Sequence, residues 1–425
     1  MMIDRVISIW RNYSPKMMTL GAYGYQATAS LLLVFVVAHI LPAAEYKRFS
    51  LAFATAQFAA IAAFEWVRIA ATRFYPGPDE KLSPLQMASL GAAFAGASAL
   101  GCIVALCALY FGAPILSVGI WATLALGQGF TDLHFTMMRF RGDLITFARM
   151  QSLRASLMLL GGAVGSWLGG GAVGTLLGLC LAYGVTILTA TIADKSLRHA
   201  PWRSPSATQF VRYVSYGGAA AGASILYLGT LVIGRYVISV VAPGAASGVM
   251  LALDLFQRPF AVVTTAVHAI LYPPVVAAYD RGGGGAAFAP LRRLYVIETA
   301  CTIGLAVFLV GLFALRPLLS LVVPGALQAS FASAATWAIV AFAARAILIN
   351  IAPIRLHLMQ RSDLILLTAV SDGATFMATL AIAYKYHLLT DVSVVVCLAL
   401  TGMTSLLTTA LISRLNVRPS RLRTH

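Results

Sequence analysis

Residues 85–112 read LQMASLGAAFAGASALGCIVALCALYFG, a run of this length without a single charge. About 20 consecutive apolar residues suffice for a helix to cross the hydrocarbon core of a bilayer, so this stretch is long enough to span one. The run is continuous and rich in Leu, Ala and Gly rather than alternating. In lipid, where every backbone amide must be paired internally, that pattern predicts a helix and not a barrel strand. Runs of the same kind recur along the chain. Spans are predicted near 17–41, 47–71, 85–112, 114–137, 151–170 and 172–193, and again near 213–236, 246–272, 292–315, 327–350, 364–384 and 391–413. The whole sequence has 425 residues, of which 60% are hydrophobic and 10% charged, with a mean hydropathy of +0.85. A soluble protein carries roughly a quarter of its residues as charges. The predicted fold class is therefore all-α, a polytopic membrane protein of about 12 transmembrane helices.

The charges give an independent test of the span count. The net charge is +16, but the basic residues stand in pairs and triplets between apolar runs. This is topogenic charge, and no nucleic-acid partner is expected. With the N-terminus inside, 24 of the 30 lysines and arginines fall on the cytoplasmic side or at adjoining span ends. Only Lys47, Arg48, Arg235, Arg316 and Lys385 fall outside, and Arg258 lies within a span. An even number of spans with both termini cytoplasmic satisfies the positive-inside rule. The run from Met17 to Leu41 is too long for a signal-peptide core and follows a polar lead, so it is read as a helix.

Residues 194–212 form the longest polar connection and divide the chain into halves, 1–193 and 213–413, each of six helices; a basic cytoplasmic tail follows at 414–425. Each half starts on the same side, so any internal repeat must be parallel, related by an axis along the membrane normal, around a central cavity. A sequence echo agrees. Pro42-Ala43-Ala44 precedes the second span as Pro243-Gly244-Ala245-Ala246 precedes the eighth, and those spans end in Tyr75-Pro76 and Tyr272-Pro273. Residues 1–13 place Ile3, Val6, Ile7 and Trp10 on one helical face, which reads as an interfacial helix.

No phosphate-binding GxxxxGK[ST] loop, HExxH or GxSxG motif occurs, so no catalytic residue is assigned and no enzyme activity is expected. The five cysteines (Cys102, Cys107, Cys180, Cys301, Cys397) lie in apolar runs with no metal-binding spacing, and are read as small core hydrophobes. Gly282 to Gly285 is read as an inner linker. Gly161, Gly165 and Gly169, and likewise Gly170, Gly174 and Gly178, recur every fourth residue. That spacing lets helix backbones approach closely, either within the fold or in a dimer.

Intramembrane charges are the candidate functional residues, because each is costly in hydrocarbon and normally faces a cavity or a partner. Arg258 falls mid-span, one turn after Asp254, and Pro259 directly after it favours a kink. Glu65 and Arg68 make an i, i+3 pair nearer the cytoplasmic end of the second span. Asp372 sits deep in the eleventh span with no basic residue on its own helix. Asp132, His134, Glu298 and Arg345 lie within a few turns of the inner face; His39 and His268 lie near span ends and read as structural. A cavity lined by Arg258, Arg68, Arg345, Asp254, Asp372 and Glu65 suits an anionic substrate, since guanidinium matches phosphate bidentately. The carboxylates there offer a place for a coupling H+ or Na+. No other cofactor and no metal is expected.

The stretch from Leu31 through Leu41-Pro42-Ala43-Ala44-Glu45-Tyr46 to Phe49-Ser50-Leu51-Ala52 resembles the opening of the polysaccharide-exporting members of the MOP (multidrug/oligosaccharidyl-lipid/polysaccharide) superfamily, the Wzx-like flippases. Arg73-Phe74-Tyr75-Pro76 and the turn from Gly234-Arg235-Tyr236 to Pro243-Gly244-Ala245-Ala246 look similar as well. His39, Lys47 and Glu65-Trp66 depart from the family pattern. The resemblance implies a bundle that alternates access and moves a polyprenyl-pyrophosphate-linked glycan across the bacterial inner membrane. Its partners would be the lipid-linked glycan, the bilayer and polysaccharide polymerase or export machinery. The cationic cavity would then involve Arg258 and Arg68, with Arg345. The alternatives are a cation-coupled multidrug or metabolite exporter, a membrane glycan polymerase or acyltransferase, and a non-transporting scaffold. The short outer loops count against the enzymes.

Overall fold

The computed structural model describes residues 2–74, 84–193, 204–314, 322–359 and 361–415, and they are helical nearly throughout. Twelve helical segments follow in order. The first six are α1 (Met2–Ile40), α2 (Ala43–Phe74), α3 (Pro84–Tyr110), α4 (Ile115–Phe140), α5 (Leu144–Trp167) and α6 (Gly171–Ala193). Then come α7 (Ala207–Val241) and the stretch Ala246–Ala314. Inside that stretch the backbone leaves helical geometry only at Gly282 and Gly283, dividing it into α8 (246–281) and α9 (284–314). The last three are α10 (Gly325–Leu358), α11 (Ser362–Lys385) and α12 (Asp391–Leu415). The side chains of residues 1–16, on which the interfacial face expected at 1–13 depends, lie outside what is described, as do the linker over 194–203, Tyr75-Pro76 and the tail from 416.

Ten of these segments are apolar and long enough to cross a membrane, and α4 and α5 are long enough but too polar. What makes α4 and α5 polar is a group of side chains turned inward, described below. The chain is thus a multi-pass membrane protein with the predicted number of helices. Two expectations needed correction. The stretch 273–291, read as a linker around Gly282 to Gly285, is helical except for the two-residue break, where Gly283 has φ +65°. A side chain is disfavoured at that angle, so glycine is what permits the sharp turn. Pro259 does not interrupt α8 either; its dihedrals remain helical, because one missing N–H is tolerated when neighbouring helices support the segment.

The chain forms two compact units, residues 1–225 with 322–327 and residues 226–321 with 328–425. In the first, α2 packs on α4, α4 on α6, α5 on α6 and α1 on α5. In the second, the 246–314 stretch packs on α10, α10 on α12 and α11 on α12. The α2–α4, α4–α6 and α5–α6 contacts of the first unit correspond to those of the second when six is added to each number.

The glycine rows of α5 and α6 face each other. A Cβ on Gly161 would run into the carbonyl of Gly178, and one on Gly165 into the carbonyl of Gly174. The small residues therefore serve close packing inside the unit. At the start of α6, Glu45 accepts a hydrogen bond from the backbone N–H of Ala172 (3.0 Å) and also pairs with Arg48 (2.7 Å). A carboxylate there satisfies an orphan helix donor and meets the positive end of the helix dipole. Tyr46, next in the chain, is fully buried.

Candidate functional site

The first unit holds a polar cluster on α1, α2, α4 and α5. On α2 the Arg68 guanidinium makes a two-pronged ion pair with Glu65, with Nε to Oε2 at 2.7 Å and a second bond from Nη2 to Oε1. The i, i+3 spacing predicted that contact. Arg154 of α5, read from sequence as topogenic, is instead buried. It donates to Asp132 of α4 (2.6 Å), to Thr131 (3.1 Å) and to Gln151 (3.2 Å), and lies over the Phe135 ring at 4.9 Å. Gln151 in turn donates to Gln26 of α1. Nearby, Arg139 donates to the Tyr23 hydroxyl (2.7 Å).

Glu65, Arg68, Gln128 and Asp132 line one side of a small cavity whose other walls are Ala60, Ile61, Phe64 and Gly129. Its volume is about 20 Å³, room for a water molecule. The Arg68 side chain is 38% exposed, on a helix otherwise apolar enough to span a membrane, and that of Asp132 is 35% exposed on the more polar α4. Gly129 can line this wall only because it lacks a side chain, as the Phe64 ring covers its face.

The second unit holds two more ion pairs. Arg345 of α10 is 2% exposed and reaches Asp372 of α11 at 3.3 Å. It also donates to the Tyr227 carbonyl (2.8 Å) and to Thr230 (2.5 Å) of α7, while Asp372 accepts from Ser405 of α12 (2.9 Å). One buried guanidinium thus ties α7, α10 and α11 together, with α12 joined through Asp372. The sequence flagged Arg345 and Asp372 separately; the structure brings them together. Asp254 of α8 pairs with Arg235 of α7 (2.9 Å), which also donates to Gln257 (3.1 Å). Arg235 had been placed on the outer side of the membrane; it is 2% exposed inside the unit. Its signal was available, since Gly234-Arg235-Tyr236 closed a predicted span and Asp254 needed a cation. Arg258 is half-buried one turn beyond Asp254.

Among the interior polar residues, Gln26, Gln128, Gln151, Arg154 and Arg235 were not singled out from sequence. The signal for Gln128, Gln151 and Arg154 is the fall in hydropathy of α4 and α5, which marks polar residues facing inward rather than toward lipid.

No family model matches the chain, and no curated protein matches it in sequence. Solved structures do match it over nearly its full length. An inward-facing multidrug resistance MATE family transporter of the MOP superfamily superposes with a TM-score of 0.67 at 14% identity, covering 94% of this chain and 97% of that one. The fold is that of the MATE transporters. A Vibrio cholerae MATE transporter, VcmN, gives 0.64 at 12% identity over 96% and 97% of the two chains. A MOP superfamily transporter from Pyrococcus furiosus gives 0.62 at 13% identity over 94% and 93%.

Proposed function

We propose that this chain is an alternating-access transporter, in the bacterial inner membrane with both termini cytoplasmic, that moves a polyprenyl-pyrophosphate-linked oligosaccharide to the outer leaflet. The observation that carries the reading is Arg68: an arginine whose side chain is more than a third exposed at a polar cavity, on a helix otherwise apolar enough to span a membrane. Guanidinium is the side chain best matched to a pyrophosphate. Arg258, half-buried along α8 of the second unit, is a further cation to test as a substrate contact. The similarity to transporter folds supports the transport half of the proposal, and the sequence resemblance of the Pro42-to-Ala52 region to polysaccharide exporters supports the substrate half. For the Pyrococcus furiosus protein of this fold, a reversed polarity of the binding pocket suggests a different function. Arg345 is closed off by Asp372 and supports the fold in this conformation. Partner enzymes of glycan polymerisation and a coupling H+ or Na+ complete the proposal.

A second reading, export of cationic drugs or metabolites, is favoured by Glu65 and Asp132 on the same cavity. A deletion strain separates the two. On the first reading it accumulates a complete lipid-linked oligosaccharide on the cytoplasmic leaflet, restored to normal by the wild-type gene and not by Arg68→Ala. Normal lipid-linked intermediates, with raised sensitivity to cationic compounds, would establish the second.

A further inference from the structure

Glu298 of α9 has no solvent exposure, and neither of its carboxylate oxygens meets a hydrogen-bond donor among the described residues. The nearest ionisable group is His268 of α8, whose Nδ1 lies 3.7 Å from Glu298 Oε2, just beyond hydrogen-bond length. That nitrogen is likewise without a hydrogen-bond partner, while the His268 side chain as a whole is 30% exposed. A buried carboxylate with no donor is costly to keep charged, so the arrangement calls for a neutralising ligand. A hard metal cation would need several oxygen ligands. One carboxylate beside one imidazole nitrogen suits a proton.

We propose that Glu298 and His268 form a proton-binding site in the second unit, holding one proton between them. His268 connects the buried acid to the outside, and the carboxyl stores the proton away from water. The surroundings are otherwise quiet. On the histidine side, Tyr272 stacks on the His268 ring at 4.4 Å. On α10, His357 interacts electrostatically with His268, Arg355 acts on Tyr295 one turn before Glu298, and Arg345 is held by Asp372. Arg292 and Arg293 lie further back on α9, and α12 carries no charge between Asp391 and Ile412. On the transporter reading, on which this part rests, the site is where a coupling proton enters the second unit.

The test is an infrared titration of the purified full-length protein in lipid nanodiscs, following the protonated-carboxyl band across about pH 5–9, where a histidine-linked site titrates. Wild type is expected to show a titrating buried carboxyl that disappears in Glu298→Gln. In His268→Asn the midpoint moves by about one pH unit or more, the size expected from removing an adjacent ionisable partner. An unchanged titration in Glu298→Gln, or the same midpoint in His268→Asn, overturns the site. Both variants are near-isosteric, and their elution as single folded species in detergent is checked alongside. The titration requires no transport, so its failure leaves the transporter proposal standing. Conversely, a deletion strain with normal lipid-linked intermediates would remove the glycan reading while leaving the proton site intact.

Discussion

Arg345 and Asp372 meet at 3.3 Å between α10 and α11, and Asp132 and Arg154 meet at 2.6 Å between α4 and α5 with the charges exchanged. The registers coincide. Asp132 and Arg345 are each the eighteenth residue of the regular helix carrying them, counted from Ile115 and Gln328. Arg154 and Asp372 are each the eleventh, counted from Leu144 and Ser362. Corresponding helices of the two halves thus carry an ion pair at the same two positions, the register expected of an internal repeat. The polarity is free to invert because the slot needs a neutral pair, whichever helix supplies the cation.

This makes a charge exchange testable. Arg345→Ala strands Asp372 at zero exposure and is expected to destabilise the protein by about 3–5 kcal/mol, the cost of breaking a buried pair from one side. The exchanged double variant, Arg345→Asp with Asp372→Arg, is expected to recover at least half of that loss, since it recreates the polarity of the first unit. Thermal unfolding in detergent reads both. A double variant no more stable than the single would show that the Tyr227, Thr230 and Ser405 bonds fix the polarity of this slot.

The twelve helices were legible because lipid forces long apolar runs. The Glu65–Arg68 contact was legible because both residues lie on one helix, where spacing fixes distance. Pairs that bridge helices, such as Arg154 with Asp132 or Arg235 with Asp254, were not, because the linear order carries no information on which faces meet. Charge counting misled for the same reason. Arg154 and Arg235 look like residues at span ends, yet each has a carboxylate on a neighbouring helix that makes burial tolerable. The helical stretch over 273–291 was missed because prolines and glycines were read as breakers, which they are in water far more than among packed helices.

Glu45 gives one motif a physical reason. In the Pro42-to-Tyr46 turn, its carboxylate holds the first turn of α6, far along the chain. Glu45→Ala is expected to cost about 0.5–2 kcal/mol, as for loss of a helix cap, and Glu45→Asp to cost part of that because the shorter side chain fails to reach Ala172. Arg48→Ala should matter little, because Arg48 is largely exposed and exposed pairs contribute about 0–1 kcal/mol. Unfolding midpoints of the three variants check the order.

The glycine contact between α5 and α6 separates packing from flexibility. Gly178→Ala places a methyl against the Gly161 carbonyl, while Gly184→Ala, on the same helix, meets nothing within 4 Å. The first is expected to lose about 1–3 kcal/mol through overpacking. The second is expected to gain a few tenths, because alanine is the better helix former. Equal effects from the two would mean that the helices separate enough in the bilayer to admit a side chain at residue 178.

Arg258 distinguishes a substrate contact from a structural cation. It is half-buried on α8, one turn from the Asp254–Arg235 pair. Arg258→Ala is expected to abolish glycan export without lowering the amount of protein in the membrane, whereas Arg258→Lys, which keeps the charge but loses the planar fork, should retain part of it. Arg235→Ala is expected to behave differently, lowering protein abundance because it removes a buried guanidinium that ties α7 to Asp254 and Gln257 of α8. Quantitative membrane blots beside an assay of exported polysaccharide resolve the two classes. Wild-type export by Arg258→Ala would remove Arg258 from the substrate path and leave Arg68 as the cation to test in its place.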